Sequence, residues 1–304
     1  MNRNLEALFL TLLWKVICRL PEPWSEKSTG RPPYEPKAVA LACMAKVMFN
    51  KTYEGAESWT KSSKLFHELA GYSKIPQSVI HRGMARMPPR YIRRVCKMLA
   101  AQAGKKGIEG IIDSSGFRLR TSSSWYDIRI HRKSKRRDHI KLHIIGNYRT
   151  GIIHSLSITG GHANDSPQVK VLLKEIGKLL KLAGDAGYPS RKNCTLVAEK
   201  GGKPFFMLKK NVPENSRPKS HVAWKIMVRF FHNKRKKWLK EYHVRSFVEA
   251  IFSSLKKRFG NFLRSIKRPM QKKELSLKVL CYNAIRVLFI ERAKELGIPL
   301  WVRP

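Results

Sequence analysis

The chain has 304 residues, with 62 Lys and Arg against 21 Asp and Glu, a formal net charge of +41. Its 42% hydrophobic and 10% aromatic content excludes a basic disordered tail and supplies cores for about two domains. A folded surface so unbalanced in charge needs a polyanion to cover it, and DNA or RNA is the usual one, whereas a small acidic substrate needs only a local patch.

The first apolar stretch, Leu5 to Leu20, repeats Leu5, Leu8, Phe9, Leu12, Leu13, Val16 and Ile17 at helical spacing. It reads as an amphipathic helix rather than a signal peptide, because Glu6, Lys15 and Arg19 interrupt it and no small-residue cleavage site follows. A proline-containing linker, Pro21 to Pro36, leads to a helix from Lys37 to about Asn50. From Ser62 the text suggests a helix, a turn at Gly71-Tyr72 and a second helix entered between Ser73 and Gln77. This is the outline of a helix-turn-helix that presents Gln77, Ser78, His81, Arg82 and Arg86 to DNA, and equally of a helical hairpin with solvated basic residues.

At Gly104 to Gly107 the period changes from helix to strand, which puts a domain boundary at 106/107: a helical region over 1–106 and a second domain over 107–304. Strand-like segments follow at Ile108 to Asp113, Phe117 to Arg120, His139 to Ile145 and Ile152 to Thr159, the last two joined by a hairpin turn. Asp165-Ser166-Pro167 reads as the cap of a helix that buries Val169, Leu172, Leu173, Ile176, Leu179 and Leu180. A short segment ending at Asp185, a helix from about Ser190 to Glu199 and a strand at Phe205 to Lys209 come next. One amphipathic helix is expected from about Glu241 to Phe259 and a final one from Glu274 to Leu296. Lys278, Asn283 and Arg286 make the last a poor membrane span, and no membrane partner is expected.

The five cysteines, Cys18, Cys43, Cys96, Cys194 and Cys281, are scattered without zinc spacing and suit a reducing cytoplasm. Aspartates are as few: Asp113, Asp127, Asp138, Asp165 and Asp185. Asp113 closes the apolar run Ile108 to Ile112, and Asp185 begins the glycine turn Asp185-Ala186-Gly187-Tyr188. Either alone reads as well as a turn cap or a surface ion pair. In the Glu241 to Phe259 segment, Tyr242, Arg245, Glu249 and Lys256 stand at spacings of three, four and seven, within a sector of about 60° on a continuous helix. An ordinary Arg–Glu i,i+4 pair has the same spacing. Three carboxylates on separate elements share a site only if their repulsion is cancelled, and two Mg²⁺ ions, which also suit in-line phosphoryl transfer, would do that.

The Tyr242, Arg245, Glu249, Lys256 spacing and the Asp-x-Gly-Tyr context of Asp185 resemble the signature of DDE transposases encoded by insertion sequences, and the likeness runs from about Gly107 to Phe259. The resemblance implies an α/β fold, a ribonuclease H-like mixed sheet flanked by helices, behind an N-terminal all-helical DNA-binding region. It implies Asp113, Asp185 and Glu249 as the metal-binding catalytic triad, loaded with two Mg²⁺ for which Mn²⁺ substitutes. Tyr242, Arg245 and Lys256 would lie against transposon-end DNA. The implied activity is binding of terminal inverted repeats, cleavage at the 3′ ends and transfer of those ends to target DNA, by a homodimer or larger assembly at the nucleoid in the cytoplasm. A decayed DNA-binding protein and a metal-dependent nuclease without strand transfer are the alternatives. The basic runs Arg129 to Arg137, with Arg132, Lys135 and Arg136, and Lys234 to Lys240 are expected to follow the DNA backbone, with Trp125 and Trp238 either stacked on bases or packed inside.

Overall fold

The computed structural model describes residues 3–25, 33–104, 107–119, 129, 139–209, 212–213 and 222–300. It divides into a helical unit, Met1–Gly104 with Leu263–Pro304, and a sheet unit, Lys105–Phe262.

The helical unit contains α1 (Arg3–Cys18), α2 (Pro36–Met48), α3 (Tyr53–Ser62), α4 (Lys64–Ala70), α5 (Gln77–Arg86) and α6 (Pro89–Gln102). Polar residues set the breaks between them. Thr52 Oγ1 accepts from Gly55 N at 3.0 Å to start α3, and Ser63 Oγ accepts from Phe66 N at 3.3 Å to start α4. Gly71, at φ +72°, ends α4 in the left-handed conformation that favours glycine. Gln77, Ser78, His81, Arg82 and Arg86 all lie on the exposed side of α5. The final helix, Arg268–Glu295, belongs to this unit and not, as the sequence suggested, to the catalytic domain. Its apolar residues Leu275, Leu277, Leu280, Ala284 and Val287 are buried, and it packs on α1, α2 and α6. Hydrophobic burial therefore decides which unit it joins, against its position in the chain.

In the sheet unit, β1 (Ile108–Leu119), β2 (His139–Asn147), β3 (Ile153–Gly160), β4 (Leu179–Gly184) and β5 (Lys203–Phe206) lie in the order β3-β2-β1-β4-β5. The first three are antiparallel, and β4 and β5 add in parallel. This is a ribonuclease H-like mixed sheet flanked by helices. Gly151 N donates to Asn147 O at 2.7 Å in the β2–β3 turn, with Gly151 at φ +72°. One sheet face packs on α7 (Gln168–Leu173), α8 (Arg191–Glu199) and α9 (Val222–Asn233) through Ile112, Ile145, Val169, Leu172, Val197 and Met227. The opposite face takes α11 (Phe247–Phe259), which comes so close that a Cβ on Gly146 would stand 2.7 Å from Ile251 Cδ1.

Several expectations change. The two segments around Asp113 are one twelve-residue strand. The helix after Pro167 stops at Leu173, and Leu179 and Leu180 belong to β4, with Leu180 42% exposed rather than buried. Gly177 interrupts the helical pattern, and pairing with both β1 and β5 outweighs the weak strand propensity of Leu-Leu-Lys-Leu-Ala-Gly. β5 begins at Lys203, before the expected Phe205. The expected helix from Glu241 is divided: α10 (Arg235–Tyr242) ends, a 3₁₀ turn covers His243–Ser246, and α11 follows. Ser246 Oγ donates to His243 O at 2.9 Å within this turn, a local bond that competes with regular helix.

Candidate active site

Strand pairing brings the first two carboxylates level. Ile111 pairs with Ala183 in the parallel β1–β4 ladder, so two residues on Asp113 stands beside Asp185, where the strands part. Asp185 Oδ1 accepts from Gly187 N at 2.9 Å, which fixes the glycine turn, and Tyr188 packs beneath it at 1% exposure. Gly184 is required on the other side: a Cβ there would meet Ile112, Tyr188 and Phe206 at 2.7, 3.0 and 3.1 Å.

Asp113 is sparsely exposed and both its oxygens are engaged. Oδ1 accepts from Ser114 N at 2.7 Å and Oδ2 from Arg245 Nη2 at 3.1 Å. Burial raises its pKa and the neighbouring Asp185 adds to that, while the Ser114 N–H and Arg245 oppose it. Arg245 Nη1 also lies 3.7 Å from Glu249 Oε1, so one guanidinium spans Asp113 and Glu249. Its own proton is held more firmly than usual: burial works against the charge, but Asp113, Tyr242 and Asp185 prevail. Tyr242 stacks on Trp238 at 5.1 Å between ring centroids and 12° between planes, and burial raises its hydroxyl pKa. Lys256 Nζ donates to Ser115 Oγ at 2.7 Å, and burial lowers its pKa.

Asp113, Asp185, Tyr242 and Arg245 are thus gathered, whereas Glu249, at 69% side-chain exposure, is linked to them through Arg245. Among the described residues no group of three His, Cys, Asp or Glu side chains stands close enough to hold a metal ion. Asp113 and Asp185 nevertheless fit a hard divalent cation, being two oxygen donors side by side with one partly desolvated.

One expected role changes, and the choice left open at Trp238 falls to the packed alternative. Asp165 does not cap α7 through its side chain; Pro167 occupies the cap, and Asp165 Oδ1 instead takes Ser114 Oγ at 2.9 Å and Lys141 Nζ at 2.8 Å. Those partners lie across the sheet and could not be read from local spacing. Trp238 is fully buried between Phe205, Phe231 and Tyr242, so it is not available to stack on a base. Trp125, Arg132, Lys135 and Arg136 lie outside the described residues. The run Lys234 to Lys240 is exposed except at Trp238 and Leu239.

Sequence reasoning missed a second charged group. Lys181, at 10% side-chain exposure, donates to Glu241 Oε2 at 2.7 Å, lies 3.1 Å from Glu109 Oε2 and sits 4.7 Å from the centre of the Tyr148 ring. Arg149 also bonds Glu109. This joins β1, β4 and the end of α10 just before Tyr242. An acidic residue at Glu109, in an otherwise apolar run, was the available signal.

A transposase DDE domain model matches residues 104–284, well over half of the chain. No curated protein matches it. A solved piggyBac transposase synaptic complex with hairpin DNA is similar at 10% identity and a TM-score of 0.45, over 99% of this chain and 75% of that one. No helix among the described residues is long and apolar enough to cross a membrane. The family acts through divalent metal ions, in keeping with the paired aspartates. On the family match over residues 104–284, the chain belongs to the DDE-domain transposases, enzymes that cleave DNA and transfer its strands.

Proposed function

We propose that this transposase serves an insertion sequence: it binds the terminal inverted repeats, cuts at the 3′ ends and transfers them to double-stranded target DNA, as a homodimer or larger assembly. The placement of Asp113 beside Asp185 just past the end of the β1–β4 ladder, with Arg245 spanning Asp113 and Glu249, supports this reading best. Asp113 and Asp185 would hold Mg²⁺ or Mn²⁺, and Glu249 would complete the set once Arg245 turns to DNA. Two such ions, when bound, stabilise the attacking and leaving oxygens of the phosphoryl transfer.

The protein's own groups orient the substrate. Tyr242 and Arg245 stand beside the aspartates and would meet the phosphates next to the cut, and Lys256 would fix the strand near Ser115. Arg82 and Arg86 on α5 would engage the terminal repeats, and Arg132, Lys135 and Arg136 the backbone. The domains would divide accordingly, DNA recognition in the N-terminal helices and chemistry from residue 107 onward.

The test is cleavage and joining of labelled DNA carrying the element's end repeats, with Mg²⁺ or Mn²⁺, by wild type and by Asp113→Ala, Asp185→Ala and Glu249→Ala. Each variant should bind DNA and leave it uncut. Binding by wild type without cleavage in either metal would support a decayed DNA-binding protein, and cleavage independent of end sequence without joined product a plain nuclease.

A further inference from the structure

The β4 ladder ends at Ile111–Ala183, and the next backbone partner on that side of β1 is met only at Arg118, whose N–H donates to Asn261 O at 2.9 Å. On the other side it remains paired with β2 as far as Arg118. Asp113 therefore sits in the gap between these two partners, where side chains supply what backbone pairing does not. Three consecutive residues are each tied to a different segment: Asp113 to Arg245 of the 3₁₀ turn, Ser114 to Asp165 before α7, and Ser115 to Lys256 of α11.

The ties alternate between faces as strand geometry requires. Asp113 and Ser115 point to the face carrying Arg245 and α11. Ser114 points to the face carrying α7, together with its cross-strand partner His143. On that face Asp165 Oδ1 accepts from Ser114 Oγ at 2.9 Å and from Lys141 Nζ at 2.8 Å, and stands 3.3 Å from His143 Nδ1. Lys141 Nζ also donates to Ala163 O at 3.2 Å, which fastens the loop that carries Asp165. His143 is fully buried, with Nε2 2.8 Å from Thr159 Oγ1 and Nδ1 without a hydrogen bond. A carboxylate whose Oδ1 receives two donors, one of them the Lys141 ammonium, already has its counter-charge. It has the character of a fixed anchor and not of a donor waiting for a metal.

We propose that Asp165 is a positioning residue for the transposition chemistry: from the face opposite the active site it holds Ser114, and so fixes the Asp113 peptide and the direction of its carboxylate. Ser114 transmits the constraint directly, since its N–H donates to Asp113 Oδ1 while its hydroxyl is held by Asp165. The proposal rests on Asp113 being catalytic, as put forward above.

The experiment compares end-cleavage kinetics of wild type with Asp165→Ala, Asp165→Asn, Ser114→Ala and the Asp165→Ala/Ser114→Ala double variant, with Asp113→Ala as reference and a melting curve for each. Asn keeps the oxygen acceptor for Ser114 and Lys141 but not the charge. Asp165→Ala and Ser114→Ala should each lower kcat by about ten- to a hundredfold, the scale of a misplaced reacting group, with KM for DNA within about twofold of wild type. The double variant should be no slower than Asp165→Ala, because both changes break one bond, and Asp165→Asn should stay within about threefold of wild type. If Asp165→Ala melts below the assay temperature, loss in Ser114→Ala with retention in Asp165→Asn makes the same case. Asp165→Asn as inactive as Asp113→Ala would overturn the proposal by making the carboxylate itself catalytic. Full activity in Asp165→Ala or Ser114→Ala, or multiplying effects in the double variant, would overturn it as well. Cleavage by Asp113→Ala would instead remove the active-site reading beneath it.

Discussion

Replacing Lys181 with Met removes the cation between β1, β4 and the end of α10 while keeping most of the apolar stem. Glu109, at 14% side-chain exposure, then keeps Arg149 as its partner, while Glu241, at 43%, returns to water. Breaking a buried pair from one side costs about 3–5 kcal/mol, and an exposed pair about 0–1 kcal/mol. The remaining Arg149 bond puts the Glu109 contribution near the bottom of that range, and loss of the Tyr148 ring contact adds about 0.5–1 kcal/mol, for a total of about 4 kcal/mol. Urea unfolding at unchanged m-value measures it. Lys181→Met/Glu109→Gln, which removes the stranded charge as well, should recover about half of the loss. A loss under about 1 kcal/mol in the single variant, or a double variant less stable than the single, would refute the reasoning. The linkage has two arms. Burial pulls Glu109 upward, but Arg149 and Lys181 hold its carboxyl below the usual range, so this stabilisation is present above the unfolded pKa and fades as pH falls through the folded one. Burial likewise opposes the Lys181 charge, but Glu241 and Glu109 hold its pKa above the usual value, so this part is lost as pH rises through the folded pKa. Because Glu241 precedes Tyr242, cleavage in Lys181→Met should fall while filter binding of DNA persists.

Gly184→Ala should cost about 1–3 kcal/mol through overpacking against Ile112, Tyr188 and Phe206, and should slow cleavage by shifting Asp185; a melting temperature and rate equal to wild type would count against this account. Burial lowers the pKa of His154 to about 4 from 6.5. The unfolded chain therefore takes up a proton first, and stability should fall between pH 6.5 and 4 by about 2 kcal/mol, less than the full shift because the ring is only partly enclosed; His154→Gln should flatten that part of the pH–stability curve. Arg82→Ala/Arg86→Ala should weaken binding to end repeats and, if both arginines reach phosphates, lower the salt slope of log K by about 2; an unchanged slope would exclude backbone contacts at both positions.

How much could be read from the sequence depended on the range of the interaction. Asp113 and Asp185 were visible because each closes an apolar segment, and a parallel ladder then brings such ends together. The turn before α5 was visible because Gly71 has few alternatives. Leu179 and Leu180 were drawn into the preceding helix, and Leu179 to Gly184 looked at best a short, irregular strand, because its neighbours in β1 and β5 are distant in sequence. The 3₁₀ turn at His243–Ser246 likewise broke a spacing that an ideal helix would have carried through from Tyr242 to Lys256. Asp165 was assigned to the nearest helix when its partners, Ser114 and Lys141, lie on two strands well before it. Lys181 was passed over because a lysine in a strand is normally exposed, and only Glu109 and Glu241 make its burial tolerable.

The stack of Tyr242 on Trp238 bears on the entropy of substrate capture. A tyrosine free in solution would lose its rotamer freedom on meeting DNA, at about 0.5–1.5 kcal/mol per immobilised side chain. Here Trp238, itself enclosed by Phe205 and Phe231, has already restricted that ring during folding. A phosphate that reaches Tyr242, as proposed above, would meet a phenol whose ordering belongs to the stability of the sheet unit, and the contact would add to affinity with little further loss of disorder.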